Sequence, residues 1–245
     1  MSETMDTQLV IIPTYNESET IQAMLDTVLN LELKFDVLIV DDNSPDGTAK
    51  IVEENIPKHH NRLHILNRSE KEGLGAAYFA GFRWALEKNY GYIFEMDCDF
   101  SHPPKDLIRL SHELTTGECD LVIGSRYITG CNVVNWPMKR LLLSYFASIY
   151  VRIITGMPIH DSTAGFVGYT RKALESFNLS KSPFKGYAFQ IGMKFLAWKR
   201  GFTLKEIPII FYNRELGESK MKGAIVLEAI WGVWMLRIRS IFGFI

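Results

Sequence analysis

Acidic side chains cluster at three places in the chain where a buried β-strand is predicted to end. The clusters are Tyr15-Asn16-Glu17, Asp41-Asp42 and Asp97-Cys98-Asp99-Phe100-Ser101. The carboxyl ends of parallel strands meet at one edge of a sheet, which is where ligands bind in such folds. Side chains two residues apart in an extended segment point the same way, so Asp97 and Asp99 could face one ligand. A carboxylate pair of this kind typically binds a hard divalent cation that bridges phosphate oxygens, which predicts a metal-dependent phosphate site.

A cationic set follows further along the chain and comprises Arg126, Lys139, Arg140, Arg214 and Lys220. Taken singly, each of these side chains would more often be a solvated surface residue. Arg126 directly follows a predicted strand, however, and therefore emerges at the same edge as the carboxylates. Acidic metal ligands with arginine and lysine nearby are typical of a polyphosphate site, because metal and cations neutralise the charge that develops as a phosphate leaves.

Alternating strands and helices must position these groups in the first half of the chain. The predicted strands are Gln8–Ile12, Asp36–Val40, Leu63–Leu66, Tyr92–Met96 and Asp120–Ile123. The predicted helices are Ser18–Leu29, Thr48–Asn55, Gly75–Lys88 and Pro104–Leu114. This alternation predicts an α/β protein with a doubly wound, mainly parallel sheet and right-handed crossovers.

The second half of the chain is less regular. Its predicted helices are Lys139–Thr155, Arg171–Phe177 and Gly186–Lys199, and a turn-rich stretch covers Gly156–Gly168. A strand is predicted over Thr203–Phe211 despite Pro208, which places that strand at an edge of the sheet. No linker rich in proline or serine divides the halves, so we expect one domain over residues 1–245.

Composition and charge exclude several classes of protein. The chain carries 27 basic and 28 acidic residues, which gives no support to nucleic-acid binding because that function needs a dense cationic surface. The three cysteines are odd in number and form no closely spaced pair, so a disulfide framework is not expected and a reducing cytoplasm is the natural setting. The polar N-terminus does not have the pattern of a signal peptide.

Two apolar stretches, Leu141–Val151 and Ala229–Leu236, are flanked by arginines. Both are well short of the roughly 20 apolar residues that cross a bilayer. Aliphatic and indole side chains bordered by cations suit a helix that lies at a lipid headgroup layer. From the pattern alone, a pair of amphipathic helices that close a core explains the two stretches better.

Two other signals carry less weight. His160-Asp161-Ser162 contains the residue types of a catalytic triad, but a triad needs groups that converge from separate segments, so these are interpreted as turn and cap residues. Cys98 lies between two aspartates, whose negative charge would raise the pKa of its thiol and make it a poor nucleophile.

Taken together, the motifs resemble those of the inverting GT-A glycosyltransferases of family 2, from residue 9 to about residue 222. The motifs are Pro13-Thr14-Tyr15-Asn16-Glu17, Val40 to Thr48, Gly73 to Tyr78, Met96 to Pro103, Gly124-Ser125-Arg126-Tyr127 and Arg214 to Lys220. The narrower match is to members that transfer mannose from GDP-mannose to a polyprenyl or dolichyl monophosphate. The resemblance implies a Rossmann-like GT-A fold with amphipathic C-terminal helices. It implies a nucleotide-sugar part over about 8–127, an acceptor-side part over about 128–222 and a membrane-surface helix over about 223–245.

The resemblance also implies roles for individual residues. The nucleotide pocket would be lined by Pro13, Tyr15, Glu17, Val40 and Asp42. The diphosphate and a Mg²⁺ or Mn²⁺ ion would be met by Asp97, Cys98 and Asp99, with Asp99 as the main metal ligand. Ser101 stands where some members supply a glutamine ligand to the metal. Because the serine side chain is shorter, a water would take the place of that ligand.

The cationic residues take complementary roles in this resemblance. Arg126 would approach the donor sugar and its phosphate, and Arg214 and Lys220 would hold the diphosphate from a loop. Arg140 would attract the acceptor phosphate. A lipid monophosphate is already an anionic nucleophile, so the enzyme needs mainly to align the reactants and stabilise the departing diphosphate. The lipid acceptor favours contact with a membrane surface, with the protein peripheral on the cytoplasmic face and a membrane-anchoring partner protein as a further possibility.

Three alternatives stay open at this point. The same architecture could transfer glucose from UDP-glucose, because Asp42 does not distinguish guanine from uracil. A phosphatase could use Asp97 as a covalent nucleophile and Asp99 as acid and base, although such enzymes normally carry the motif on their first strand. A non-enzymatic scaffold that binds lipid or nucleotide is the third alternative.

Overall fold

A seven-stranded sheet forms the centre of the protein in a computed structural model that describes residues 6–179, 187–213 and 223–242. Its strands are β1 (Gln8–Thr14), β2 (Asp36–Asp41), β3 (Leu63–Asn67), β4 (Tyr92–Glu95), β5 (Leu121–Ser125), β7 (Val167–Thr170) and β8 (Leu204–Pro208). The order across the sheet is β3-β2-β1-β4-β7-β5-β8. A small second sheet pairs β6 (Val133–Val134) with β9 (Phe211–Tyr212) in parallel. The sequence-based prediction of an α/β fold with a mainly parallel sheet is confirmed.

Helices cover both faces of the sheet. They are α1 (Ile21–Leu29), α2 (Thr48–Asn55), α3 (Leu74–Glu87), α4 (Asp106–Thr115), α5 (Met138–Thr155), α6 (Arg171–Glu175), α7 (Tyr187–Lys199) and α8 (Gly223–Ile241). One apolar layer joins α1, α2 and α4 to the sheet, and the other joins α3, α5, α6, α7 and α8 to it. The arrangement is doubly wound, as the alternation of elements predicts.

The central strands are apolar on both faces because both faces are covered. In β1, Val10 and Ile12 enter one layer while Leu9 and Ile11 enter the other, and all four are fully buried. A strand of this kind has a continuous apolar sequence instead of an alternating one. The same reasoning explains β2, whose predicted and observed bounds differ by a single residue at Asp41.

Strand β7 runs antiparallel between β4 and β5, and its first two residues belong to the stretch that was predicted to be turn-rich. Gly168 permits this insertion, because a Cβ at that position would lie 2.7 Å from Phe94 Cε1 and 2.8 Å from Leu114 Cδ1. Only a residue without a side chain fits so close to the neighbouring strand and helix. Since β7 is reversed, the loop that precedes it, residues 161–166, lies at the same edge as the carboxyl ends of the parallel strands.

The strand predicted over Thr203–Phe211 is divided in the structure. Its first part is β8, which lies at the edge of the sheet and ends at Pro208, so the edge position of that proline is confirmed. Its last residue belongs to β9, which pairs with β6, and β6 was not predicted. Helix α1 begins at Ile21 and not at Ser18, because Glu17 and Thr20 instead form a hydrogen-bonded turn. The proposed division of the chain at about residues 127 and 222 stays a prediction.

Helices α5 and α8 pack against each other and leave large apolar side chains exposed. On α5 these are Met138, Leu142, Leu143, Tyr145, Phe146 and Ile153. Within residues 231–242 they are Trp231, Trp234, Met235, Ile238, Ile241 and Phe242. We call these side chains the apolar face. Within the described residues, no helix combines the length and hydropathy that crossing a bilayer requires.

Candidate active site

The acidic clusters after β1 and β4 lie next to each other, as expected from their strands. Thr20 connects them, since its Oγ1 lies 3.4 Å from Glu17 Oε2 and 3.7 Å from Cys98 Sγ. Burial and the nearby charges of Glu17, Asp99 and Asp97 raise the pKa of Cys98 to about 12. The thiol is therefore protonated at neutral pH, and the prediction that it is a poor nucleophile agrees with this environment.

Both aspartates of the cluster at the end of β2, Asp41 and Asp42, are buried. Asp41 is buried, accepts hydrogen bonds from Thr14 Oγ1 at 2.8 Å and Ser44 Oγ at 2.6 Å, and so builds the turn that follows β2. Further along the same loop, Ser44 Oγ, Asp46 Oδ2 and Thr48 Oγ1 accept hydrogen bonds from three successive backbone N–H groups of residues 16–18. The loop after β2 therefore fixes the loop that carries Tyr15 and Glu17. The sequence motif is recognisable, but its role in positioning was not foreseen.

Hydrogen bonds hold Asp46 ionised in this loop. Burial raises the pKa of Asp46, but hydrogen bonds from Thr48 and from the Ser18 backbone outweigh that effect and lower it to about 2. A carboxylate that accepts several N–H and O–H donors is stabilised in its charged form. The contact between the two loops is therefore present throughout the neutral pH range.

The residues assigned to a nucleotide pocket fall into two groups. Pro13 and Val40 are register partners in β1 and β2, and the Val40 side chain is buried in the apolar layer against α3. Val40 could therefore line a pocket only through its main chain. Tyr15 and Asp42 lie beyond the strand ends, and the Lys71 ammonium lies 3.7 Å from the centre of the Tyr15 ring. Lys71 also acts by its charge on Asp42, so the aromatic ring and the buried carboxylate share a cationic neighbour.

The residues predicted to bind a metal differ in accessibility. The Asp97 side chain is 38% exposed, whereas Ser101 is buried and its carbonyl accepts a hydrogen bond from the Tyr212 backbone. Asp99 Oδ1 accepts a hydrogen bond from the Ser101 backbone at 3.0 Å. Within the described residues, no group of three or more His, Cys, Asp or Glu side chains is arranged to bind a metal ion. The two aspartates supply the hard oxygen ligands that Mg²⁺ and Mn²⁺ prefer, and a bound diphosphate could complete the shell.

His102 is a buried neighbour of Asp97. Its Nδ1 is 3.9 Å from Asp97 Oδ2, and its ring packs on Phe166 at 5.0 Å and on Phe211 at 5.1 Å. Burial lowers the pKa of His102 to about 4, although the charge of Asp99 acts in the opposite direction. The imidazole is therefore neutral at pH 7 and adds no positive charge to the acidic cluster.

Arg126 is held by a buried carboxylate that the sequence analysis did not assign to the site. Its Nε and Nη2 donate to the two oxygens of Asp161, each at 2.6 Å, and its backbone N–H donates to Asp161 Oδ2 at 3.0 Å. Burial raises the pKa of Asp161, but the charge and hydrogen bonds of Arg126 outweigh it and leave the pKa below the ordinary value. His160-Asp161-Ser162 does lie in a turn, yet Asp161 caps no helix there and instead fixes the direction of an arginine.

Trp136 brings Arg126 and Arg140 together. The guanidinium carbons of Arg126 and Arg140 lie 5.6 Å and 4.1 Å from the centres of Trp136 rings. Arg140 also donates to Asn213 Oδ1 at 2.9 Å. We call Arg126, Trp136 and Arg140 the arginine pair with its tryptophan. Arg214 and Lys220, the other predicted cations of the site, lie outside the described residues.

A buried polar network underlies both halves of the site. Glu95, at the end of β4, accepts hydrogen bonds from Gln190 Nε2 and, at 3.0 Å, from the Tyr169 hydroxyl. Lys194 donates to the Ala164 carbonyl at 2.7 Å and to Gln190 Oε1 at 3.0 Å. Burial raises the pKa of Glu95 and lowers that of Lys194, while the attraction between their charges opposes both shifts. The network joins the strand that leads to Asp97 with the loop that carries Asp161.

Comparison with known proteins gives one family for most of these elements. Residues 9–177 match the family described as Glycosyl transferase family 2. The chain is 46% identical over 233 residues to the polyprenol monophosphomannose synthase of Mycolicibacterium smegmatis, with 94% of this chain and 88% of the relative covered. It is 45% identical to the undecaprenyl-phosphate mannosyltransferase of Micrococcus luteus, with 94% and 95% covered.

Solved structures share the fold at lower identity. Glucosyl-3-phosphoglycerate synthase from Mycobacterium tuberculosis, in complex with Mn²⁺, UDP and glucosyl-3-phosphoglycerate, matches with a TM-score of 0.71 at 18% identity, covering 94% of this chain and 80% of that one. The same synthase with Mn²⁺, UDP-glucose and phosphoglyceric acid matches with a TM-score of 0.69 at 19% identity, covering 94% and 79%. The mainly parallel sheet is thus that of the GT-A glycosyltransferases, and with the family match over 9–177 the chain belongs to glycosyl transferase family 2.

Proposed function

We propose that this glycosyltransferase moves mannose from GDP-mannose to a polyprenyl monophosphate with inversion at the anomeric carbon. The observation that carries the proposal is the close approach of the acidic cluster after β4, which contains Asp97 and Asp99, to the arginine pair with its tryptophan. Phe211 bridges them, with its ring 5.1 Å from His102, 5.2 Å from Trp136 and 5.6 Å from the Arg126 guanidinium carbon. The two relatives at 45–46% identity, named for mannosyl transfer to polyprenyl phosphates, support the sugar and the acceptor.

The donor would lie between the loops that follow β1, β2 and β4. The base would stack near Tyr15, and the Asp42 carboxylate would accept one of its N–H groups. Asp97 and Asp99 would hold a Mg²⁺ or Mn²⁺ ion, which supplies charge neutralisation for the diphosphate when it is bound. Mn²⁺ accompanies UDP in the glucosyl-3-phosphoglycerate synthase, which supports a divalent ion in a site of this fold.

The acceptor phosphate would lie against Arg140, next to Arg126, which would approach the donor sugar and its phosphate. A phosphate monoester is anionic at neutral pH, so its oxygen attacks without a general base and the enzyme's task is alignment. Asp161 fixes the Arg126 guanidinium through two parallel hydrogen bonds, and Trp136 is a neighbour of both arginines. A preorganised guanidinium of this kind binds phosphate without the entropic cost of ordering a free side chain.

The apolar face would bring the lipid acceptor to the site. Trp231 and Ile153 are 73% and 72% exposed, which is unusual for large apolar side chains that have no partner. Arg152 and Arg239 lie in the last turns of α5 and α8 and could attract anionic headgroups. We therefore propose a peripheral position on a membrane, on its cytoplasmic face, with the isoprenoid tail left in the bilayer.

The assay is transfer of labelled mannose to a short-chain polyprenyl phosphate. We expect turnover with GDP-mannose and Mg²⁺ or Mn²⁺, little turnover with UDP-glucose, and loss of activity with a chelator or in Asp99→Ala. The matched control is Asp106→Ala, which removes a carboxylate of α4 that binds Arg109. Full activity of Asp99→Ala would contradict the metal assignment. Turnover with UDP-glucose in place of GDP-mannose would contradict the donor.

A further inference from the structure

Arg68, in the loop after β3, reaches across to the end of β2 and binds Asp42. Its Nη1 lies 2.7 Å from Asp42 Oδ1, and its Nη2 lies 2.5 Å from Glu72 Oε2. The side chains of Arg68 and Asp42 are 11% and 7% exposed, whereas that of Glu72 is 58% exposed. The inner half of this triad is therefore shielded from water and the outer half is not.

The surroundings of Asp42 disfavour the ionised form of its carboxyl group. Burial raises the pKa of Asp42, and the neighbouring charge of Asp41 adds to that effect. Arg68, by charge and hydrogen bond, and Lys71, by charge, act in the opposite direction. A shielded carboxylate without a cation becomes protonated more easily, and a protonated carboxyl loses acceptor capacity.

We propose that Arg68 is a positioning residue for the donor nucleotide, which keeps the Asp42 carboxylate ionised and oriented to accept an N–H group of the base. The inference rests on the proposed function, because it takes Asp42 as the group that meets the base. Nη1 of Arg68 donates to Oδ1 of Asp42 and so restrains the orientation of the carboxylate, whose Oδ2 would accept from the base. Arg68 thus acts through Asp42 and not by contact with the base.

Calorimetric titration with GDP tests this role in Arg68→Met. One hydrogen bond to a charged group corresponds to about a 10- to 100-fold change in Kd, and we expect an increase of that size at pH 7. The rate at saturating GDP-mannose should stay within about twofold of the wild-type rate. The lost interaction is expected to stabilise the bound donor equally in the ground state and in the transition state. Arg109→Met is the control, since it breaks another arginine–aspartate pair of 2.7 Å on α4.

A double-mutant cycle with Asp42→Asn separates positioning from direct contact. If Arg68 acts through Asp42, Arg68→Met should weaken GDP binding little further in the Asp42→Asn background. An undiminished effect in that background would overturn the inference. Arg68→Lys keeps the charge and gives a second variant should Arg68→Met unfold, and we expect it to bind GDP more tightly than Arg68→Met.

The pH dependence gives an independent readout. The carboxylate accepts an N–H group above its pKa, so affinity falls as pH falls through that value. Without Arg68, less opposes the effect of burial on the Asp42 carboxylate. The affinity of Arg68→Met for GDP should therefore begin to fall at a higher pH than that of the wild type, so the ratio of the two affinities should change with pH. An unchanged ratio between pH 5 and pH 8 would overturn the inference.

The same titrations distinguish this inference from the proposed function. If the wild type binds UDP and not GDP, and Arg68→Met weakens UDP binding, the donor assignment fails and the inference is supported. If the wild type binds GDP and Arg68→Met binds it equally well, the donor assignment stands and the inference is overturned.

Discussion

Asp161→Asn should destabilise the fold as well as disable the site. The substitution leaves the Arg126 guanidinium buried without its counter-charge and replaces one of two 2.6 Å acceptors with an amide donor. Asp161 is fully buried and Arg126 is 7% exposed, so water cannot replace the lost partner. Breaking a buried ion pair on one side costs about 3–5 kcal/mol of folding free energy. At about 2–4 °C per kcal/mol for a chain of this size, the unfolding midpoint should fall by about 6–20 °C.

The assay is thermal and urea unfolding followed by circular dichroism. Asp120→Asn is the matched control, because Asp120 Oδ2 accepts one exposed hydrogen bond from the Thr203 backbone at 3.0 Å. The stabilisation depends on pH with a definite sign. The pKa of Asp161 is below its ordinary value of 3.8 in the folded protein, so the contribution is full above that value and is lost as pH falls through the folded pKa.

Two outcomes would refute this reasoning. A loss of less than about 1 kcal/mol in Asp161→Asn would mean that Arg126 finds another partner or remains hydrated. A double variant, Arg126→Met with Asp161→Leu, removes both charges and should be more stable than Asp161→Asn, because no buried charge is left unpaired. Equal destabilisation of the two would show that the packing of the loop, and not the charge, is what matters.

Three further predictions test other parts of the structure. Gly168→Ala places a Cβ 2.7 Å from Phe94 Cε1, so urea unfolding should show a loss of about 1–3 kcal/mol, and an unchanged midpoint would contradict the close packing of β7. Asp46→Ala removes the acceptor of the Ser18 backbone N–H, and calorimetry should show roughly tenfold weaker GDP binding; unaltered affinity would separate the two loops functionally. Trp231→Glu should reduce cosedimentation with anionic lipid vesicles about tenfold, with the unfolding midpoint as control, and undiminished binding would remove the apolar face from the membrane contact.

The first half of the fold could be predicted because β1, β2 and β5 are almost completely buried apolar runs and each helix has its own periodicity. The position of the acidic clusters followed from the rule that parallel strands end at one edge. Strand β7 escaped prediction because its four residues contain a glycine, and its pairing depends on neighbours far away in the sequence. The same holds for the two-residue strands β6 and β9, which are defined only by their pairing with each other.

Local sequence patterns also could not predict the long-range contacts that hold the site residues in place. Asp161 and Arg126 are 35 residues apart, and Gln190 and Glu95 are 95 residues apart. A buried aspartate and a solvated turn aspartate have the same sequence signature, since only tertiary packing distinguishes them. The spacing of Gln190 and Lys194 by four residues on an otherwise apolar helix was the one available signal that polar groups share a buried face.

The late arrival of β7 has a consequence for biosynthesis. The partners of β5 in the sheet are β7 and β8, and both come after it in the chain. While the polypeptide emerges from the ribosome, strands β1 to β4 can pair with one another, but β5 must wait until residue 170 is available. The nucleotide side can therefore assemble cotranslationally, whereas Arg126 gains its buried carboxylate only when the reversed strand is inserted.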